Sequence, residues 1–226
     1  MPRETLDRDQ IVRAAIELLD ADGIEGLSMR RIGRKLGSAA TTAYWHIQSK
    51  QHLLALAADV VWAELELPDP SELGWRAAAR QLSSATYALY ARHPWLMPAI
   101  TTHFVYCAGM ARHQDHNYAV FEAAGFSGLD LDWAVSTIST FVSGIAFNKA
   151  FTTTMEARIR RGGEEEMQRF MTAGSEAKEI AGRFPRLLER MTDQRTLSPD
   201  ESALRSLEFG LETILDGLEE RLRSAK

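Results

Sequence analysis

Apolar residues recur along the chain at steps of three and four, and alternation of period two is almost absent, so the pattern predicts an all-α protein. Ile11, Ala15, Leu18 and Leu19 form one stripe behind Asp7, a residue suited to capping a helix, and the stripe stops at Asp22-Gly23, where glycine suits a left-handed end. Ser28 opens a second, short helix with Met29, Ile32 and Leu36 inward. Gly37 ends it, and Ser38 opens a third that runs to Ile47. Ser49 opens a fourth, whose Leu53, Leu54, Leu56, Ala57, Val60 and Val61 spread over more than one face. A helix apolar on two faces belongs between two bodies, so residues 51–67 read as a connector. Pro68-Asp69-Pro70-Ser71 marks a change of direction. The expected organisation is an N-terminal three-helix bundle (1–50), the connector helix, and a larger helical domain (68–226). That domain should hold helices near 72–92, 94–102, 105–124, 131–156, 164–191 and 199–224, with 160–163 as its longest loop.

The final helix begins with Ser198-Pro199-Asp200-Glu201, an N-cap with proline at N1 and a capping box. Leu204, Leu207, Leu211, Ile214, Leu218 and Leu222 follow as a heptad seam, with Gly210 and Gly217 where a neighbouring backbone can approach. Helix 131–156 is apolar almost all round. Two such helices exceed what a domain of this size must bury alone, which points to a two-fold homodimer, although the seam also fits packing inside one subunit.

The chain has 226 residues, of which 45% are hydrophobic and 25% charged, with a net charge of −5. The charge is uneven. Residues 1–50 carry a net +1 and the remainder −6, and residues 26–58 contain no acid while Arg30, Arg31, Arg34, Lys35 and Lys50 supply five cations. That local field is what a polyanion meets within a Debye length of about 8–10 Å, although a solvated basic face has the same composition. Cys107 is the only cysteine, so no internal disulfide forms. The charged first ten residues lack the apolar core of a secretory signal, and no run reaches the roughly 18 apolar residues of a membrane span. The expected location is cytoplasmic, with no membrane partner.

Residues 28–47 have the length and glycine placement of a helix-turn-helix, in which the second helix enters the major groove. At 100° per residue, Ser38, Thr41, Thr42 and Trp45 face outward, with Tyr44 and His46 at the edges. This face is short, polar and aromatic, as phosphate and sugar contact requires. Three segments of the N-terminal part carry a resemblance. They are Ile11-Val-Arg-Ala-Ala-Ile-Glu-Leu-Leu-Asp-Ala-Asp-Gly, then Leu27-Ser-Met-Arg-Arg-Ile-Gly-Arg-Lys-Leu-Gly, then Thr42-Ala-Tyr-Trp-His-Ile-Gln-Ser-Lys-Gln-His-Leu-Leu. Together they resemble the TetR family of bacterial repressors, and especially its tetracycline-repressor branch, over residues 7 to about 62. The resemblance implies that Arg30, Thr42 and Tyr44 contact bases and that Thr41, Trp45, His46 and Lys50 hold the DNA backbone. Ala40 stands where the tetracycline repressor has a base-reading glutamine, so the operator should differ. It also implies a ligand-binding and dimerisation domain and a connector helix that shifts when a small molecule binds. The expected function is thus a repressor released from a palindromic double-stranded operator by a small-molecule effector, with no cofactor.

Aromatic and sulfur side chains concentrate between residues 87 and 148. Tyr87, Trp95, Phe104, Phe121 and Phe141, with His103, Asn117 and Asn148 as polar anchors, could line an effector pocket or fill an ordinary core. His113 and His116, three apart with Asp115, His103 and Cys107 near, raise a metal-sensing alternative, although no metal site is expected from an i, i+3 pair alone. A helical enzyme without DNA binding is the weakest alternative. The chain has no nucleophile elbow and no phosphate loop, and the His103/Cys107 pair equally fits a buried thiol beside a core histidine.

Overall fold

The computed structural model describes residues 7–37, 47–192 and 198–224, and every regular element among them is helical. The elements are α1 (Arg8–Gly26), α2 (Met29–Lys35), α3 (Lys50–Trp62), α4 (Pro70–Leu73), α5 (Trp75–Arg92), α6 (Leu96–His103), α7 (Ala108–Ala124), α8 (Gly128–Ala181), α9 (Pro185–Thr192) and α10 (Pro199–Ser224). The third helix expected from the sequence falls largely on residues 38–46, which lie outside the described residues.

Local rules account for the ends. Asp7 accepts from the Gln10 N–H at 2.7 Å while the Gln10 side chain accepts from the Asp7 N–H, closing a capping box. Gly23 takes φ 68° and bends α1 one turn before its last residues, so the expected stop becomes a kink. Ser28 and Ser49 cap α2 and α3 through Arg31 N–H and His52 N–H. The expected loop at 160–163 is narrower than predicted, because Gly163 alone leaves the helical region (φ 63°) and the chain continues on both sides as helix.

The connector is α3. Leu53, Leu54, Ala57, Ala58, Val61 and Trp62 are buried, and the helix packs on α1 with one side and on α7 with the other. Polar contacts reinforce both sides. Lys50 Nζ donates to the Ile24 carbonyl (2.7 Å) at the end of α1, and Asp59 accepts from the Gly109 N–H (2.7 Å) at the start of α7. A second bond group joins α1 to the larger helical part. Asp20 Oδ1 accepts from Trp95 Nε1 and His93 Nδ1, each at 2.7 Å, while Arg161 donates to the Asp22 carbonyl and pairs with Glu25.

α5, α7, α8 and α10 surround the main core. Leu207, Leu211, Leu215 and Leu218 of α10 are buried within the chain, against α8 and α5. Most of the heptad seam is therefore intramolecular, and Leu204 at its start is 54% exposed. Gly210 admits the Phe141 ring, which a Cβ there would strike, whereas Gly217 faces open space. Arg76 and Arg80 of α5 grip Glu212 of α10, and these hydrogen bonds pull its carboxyl down to about 2.

Candidate nucleic-acid interface and effector cavity

Of the nine residues expected at DNA, Arg30 and Lys50 are described, while Ser38, Ala40, Thr41, Thr42, Tyr44, Trp45 and His46 lie outside the described residues. The five expected cations divide by role. Arg31 is taken inward, donating to the Gly26 carbonyl (2.9 Å) and pairing with Asp22, and Lys35 pairs with Glu17. Lys50 spends one of its three N–H groups on the Ile24 carbonyl. Arg30 and Arg34 are exposed and have no partner among the described residues. The basic field is thus concentrated on α2, with Lys50 contributing its remaining donors at the start of the connector.

A cavity of about 440 Å³ lies between the end of α3 and helices α5, α6, α7 and α8. Its apolar wall includes Met97, Ile100, Met110, Val135, Ile138 and Val142, and hydroxyls enter from Ser83, Thr86, Ser136, Ser139 and Ser143. Among the described residues Asp132 is the single carboxylate of the lining, and no lysine or arginine takes part. This is the composition of a site for an uncharged, mostly apolar molecule with a few polar groups.

Its polar centre is on α7. Thr86 Oγ1 lies 2.7 Å from the Leu82 carbonyl, a distance that places the hydroxyl proton between the two oxygens, so toward His113 Nε2 (2.8 Å) the hydroxyl must accept. His113 is therefore the Nε2–H tautomer. Burial, with smaller contributions from His116 and Arg112, pushes its pKa down to about 4, which keeps the ring neutral near pH 7. Asn117 donates from Nδ2 to the His113 carbonyl (3.0 Å), which fixes the amide orientation and leaves Oδ1 as an acceptor. The Trp62 ring packs on His113 with centroids 4.9 Å apart, and its buried Nε1 has no hydrogen-bond partner among the described residues.

Among the eight residues expected in the pocket, the structure brings only Asn117 to this cavity. Trp95 is buried with its N–H given to Asp20, and it shares with His103 a smaller cleft beside the end of α1. Phe121 belongs to the core, Phe141 fills the notch at Gly210, and Asn148 is exposed. Phe104 is 87% exposed at the left-handed end of α6. Tyr87 lines a separate groove of about 600 Å³ between α5 and α10. That groove is larger, but it lies away from the connector and is edged by the Lys149–Asp200 and Arg80–Glu212 ion pairs. Position relative to the connector therefore favours the smaller cavity. Sequence reasoning missed Trp62, Thr86 and the serines. A signal for the serines was present, since Ser136, Ser139 and Ser143 repeat at i, i+3, i+7 on one helix face. The metal alternative gains no support: His116 Nε2 bonds to the Pro68 carbonyl (2.8 Å) away from His113, and no group of three metal-ligating side chains occurs among the described residues. Cys107 is half-buried, and burial raises its pKa, which opposes a reactive thiolate.

The exposed cations of α2, a two-sided connector and a cavity at the connector's far end suit a regulatory protein that binds DNA. The chain belongs to the tetR family. Residues 11–57 match the model of bacterial regulatory proteins of that family, and residues 67–222 match the tetracyclin repressor-like C-terminal domain. It is a DNA-binding transcriptional regulator. It is 33% identical to the HTH-type transcriptional repressor DrrR1 of Streptomyces coeruleorubidus, over 96% of this chain and 79% of that one. It is also 32% identical to an HTH-type transcriptional regulator of Saccharopolyspora erythraea, over 80% and 75% of the two chains. In fold it is similar to ActR of Streptomyces coelicolor, solved in complex with actinorhodin, with a TM-score of 0.69, 24% identity and 96% of each chain covered.

Proposed function

We propose that this protein is a repressor that leaves a palindromic operator when a small, uncharged aromatic molecule enters the 440 Å³ cavity. The observation that carries the reading is that Trp62, the last residue of the connector, forms part of the cavity wall while the first residue, Lys50, is bonded to α1. A ligand that displaces Trp62 therefore moves a helix whose other end supports the reading head, and a ligand regulates only through such a difference between two states. A bound small molecule in the similar ActR chain supports a fold able to hold one.

The reading head would present Arg30, Thr42 and Tyr44 to bases and Thr41, Trp45, His46 and Lys50 to the DNA backbone. The chain would act as a homodimer in the cytoplasm, without catalytic turnover. Among the described residues no helix is long and apolar enough to cross a membrane. The test pairs a thermal-shift screen of uncharged aromatic compounds with a mobility-shift assay on the operator selected by the protein from random duplex. A stabilising compound should release the operator, and Ser139→Trp, which fills the cavity, should remain on DNA at concentrations that release the native chain. Release of Ser139→Trp at the native concentration would remove the cavity from the mechanism.

A further inference from the structure

The effector cavity contains an imbalance of hydrogen-bonding groups. Thr86, His113 and Asn117 satisfy one another's donors in a chain that ends at the Leu82 and His113 carbonyls, and they leave an acceptor, Asn117 Oδ1. On the same side, Trp62 is 2% exposed and its Nε1–H is a donor without a partner among the described residues. The Tyr90 ring meets the indole edge-on (5.7 Å, 88°) and His113 packs on it at 4.9 Å. Buried indole N–H groups ordinarily find an acceptor. This one sits at the end of the connector, in the wall of a cavity with no cation and abundant apolar surface.

We propose that Trp62 is the effector-sensing donor of this protein, and that the effector is an uncharged ring system carrying a carbonyl oxygen and a separate hydroxyl group. The carbonyl accepts from Trp62 Nε1 and the hydroxyl donates to Asn117 Oδ1. The indole N–H is covered by its neighbours, so a ligand oxygen reaches it only when the Trp62 ring turns, and Trp62 is the residue on which the connector ends. The ligand thus gains a hydrogen bond only in the turned arrangement, which is the differential affinity that a switch requires. The absence of lysine and arginine from the wall argues against an anionic ligand, and the neutral His113 keeps the recognition constant across neutral pH. The inference rests on the reading of this cavity as the effector site.

The experiment uses the full chain with two probes of similar shape, 2-(hydroxymethyl)anthraquinone, a hydroxyquinone whose hydroxyl is free to donate, and anthracene, whose binding is measured by calorimetry and by the indole ¹H–¹⁵N resonances of the five tryptophans. The native chain should bind the hydroxyquinone at least tenfold more tightly, with the Trp62 indole proton moving downfield for that probe only. Trp62→Phe, and a chain with benzothienylalanine at position 62 that preserves ring shape but has no N–H, should lose most of that preference. Equal affinity of the native chain for the two probes, or no binding of either, overturns the proposal, as does a preference that survives both replacements. The Ser139→Trp chain separates the two levels. If it binds the hydroxyquinone as the native chain does, the cavity reading itself fails. If it does not bind while the position-62 variants keep the preference, the cavity stands and Trp62 is not the donor.

Discussion

His113 is a histidine whose protonation would be costly. Its ordinary pKa of 6.5 falls to about 4 in the folded chain because burial disfavours the imidazolium. The unfolded chain therefore binds the proton more readily, and folding stability must fall as pH drops from about 6.5 toward 4. The full difference is on the order of 3 kcal/mol at about 1.4 kcal/mol per pKa unit. Chemical denaturation of the native chain at about pH 7.5 and about pH 5 should show about 2 kcal/mol of this loss, the rest following as pH falls below 4. His113→Gln, which has no such titration, should show a flatter profile at a lower starting stability. At the DNA side, the exposed Arg30 and the bonded Lys50 should respond differently to removal. If Arg30 reaches a guanine edge, Arg30→Ala should cost about 1–3 kcal/mol per half-site on the cognate operator and little on random duplex. Lys50→Ala should weaken both duplexes and reduce the salt slope by about 0.9 for each phosphate that the side chain no longer neutralises. It should also lower the melting temperature, because the Ile24 carbonyl at the end of α1 loses its donor. Equal losses for Arg30→Ala on both duplexes, measured by fluorescence anisotropy across a salt series, would exchange the two roles.

Between elements, close approaches decide where side chains are tolerated. At Gly109 an added Cβ would lie 2.8 Å from Trp62 Cβ and 3.0 Å from the Asp59 carbonyl, both on α3. Gly109→Ala should therefore push the connector away from α7 and cost about 1–3 kcal/mol, as overpacking does. Gly174→Ala is the control: nothing lies within 4 Å of its Cβ position, so it should gain up to about 1 kcal/mol of helix propensity. Urea denaturation of the two variants reads both signs, and a neutral Gly109→Ala would mean that the connector is loosely seated. Helix positions were legible in the sequence because capping side chains and the 3.6-residue period are local features. The two-sided burial of α3 was legible for the same reason. The partner of each face was not legible. The leucines of α10 satisfy a heptad between subunits or within one equally well, and only the docking of Phe141 into Gly210 reveals that they turn inward. The cavity was obscured similarly. Aromatic density between residues 87 and 148 marked a core, whereas the cavity gathers serines, a threonine and the end of a distant helix, Trp62, through tertiary packing.

At the scale of the whole molecule, the outer face of α8 is unlike a solvent face. Leu129, Trp133, Phe147 and Phe151 are 65%, 56%, 58% and 55% exposed, and at 100° per residue they fall on one stripe opposite the buried Leu131, Ala134, Ile138 and Val142. Phe209 on α10, 78% exposed, adds to the apolar surface left after the leucine seam has been buried. A patch of this kind on one chain marks an association face, and closed two-fold pairing lets the same stripe cover itself. Such a dimer carries two equivalent reading heads, which is why the operator should be a palindrome with half-sites about one turn of duplex, or slightly more, apart. Trp133→Glu combined with Phe151→Glu should give a folded monomer in sedimentation, because both side chains are already more than half exposed and their replacement leaves the inner core intact. That monomer should bind operator weakly and protect a single half-site. Leu211→Glu should behave differently, since Leu211 is 2% exposed inside its own chain and a buried carboxylate there has no partner. It should lower the melting temperature before it changes the oligomeric state. A dimer that survives the α8 pair of substitutions but dissociates with Leu211→Glu at unchanged melting temperature would place the interface on the leucine seam instead.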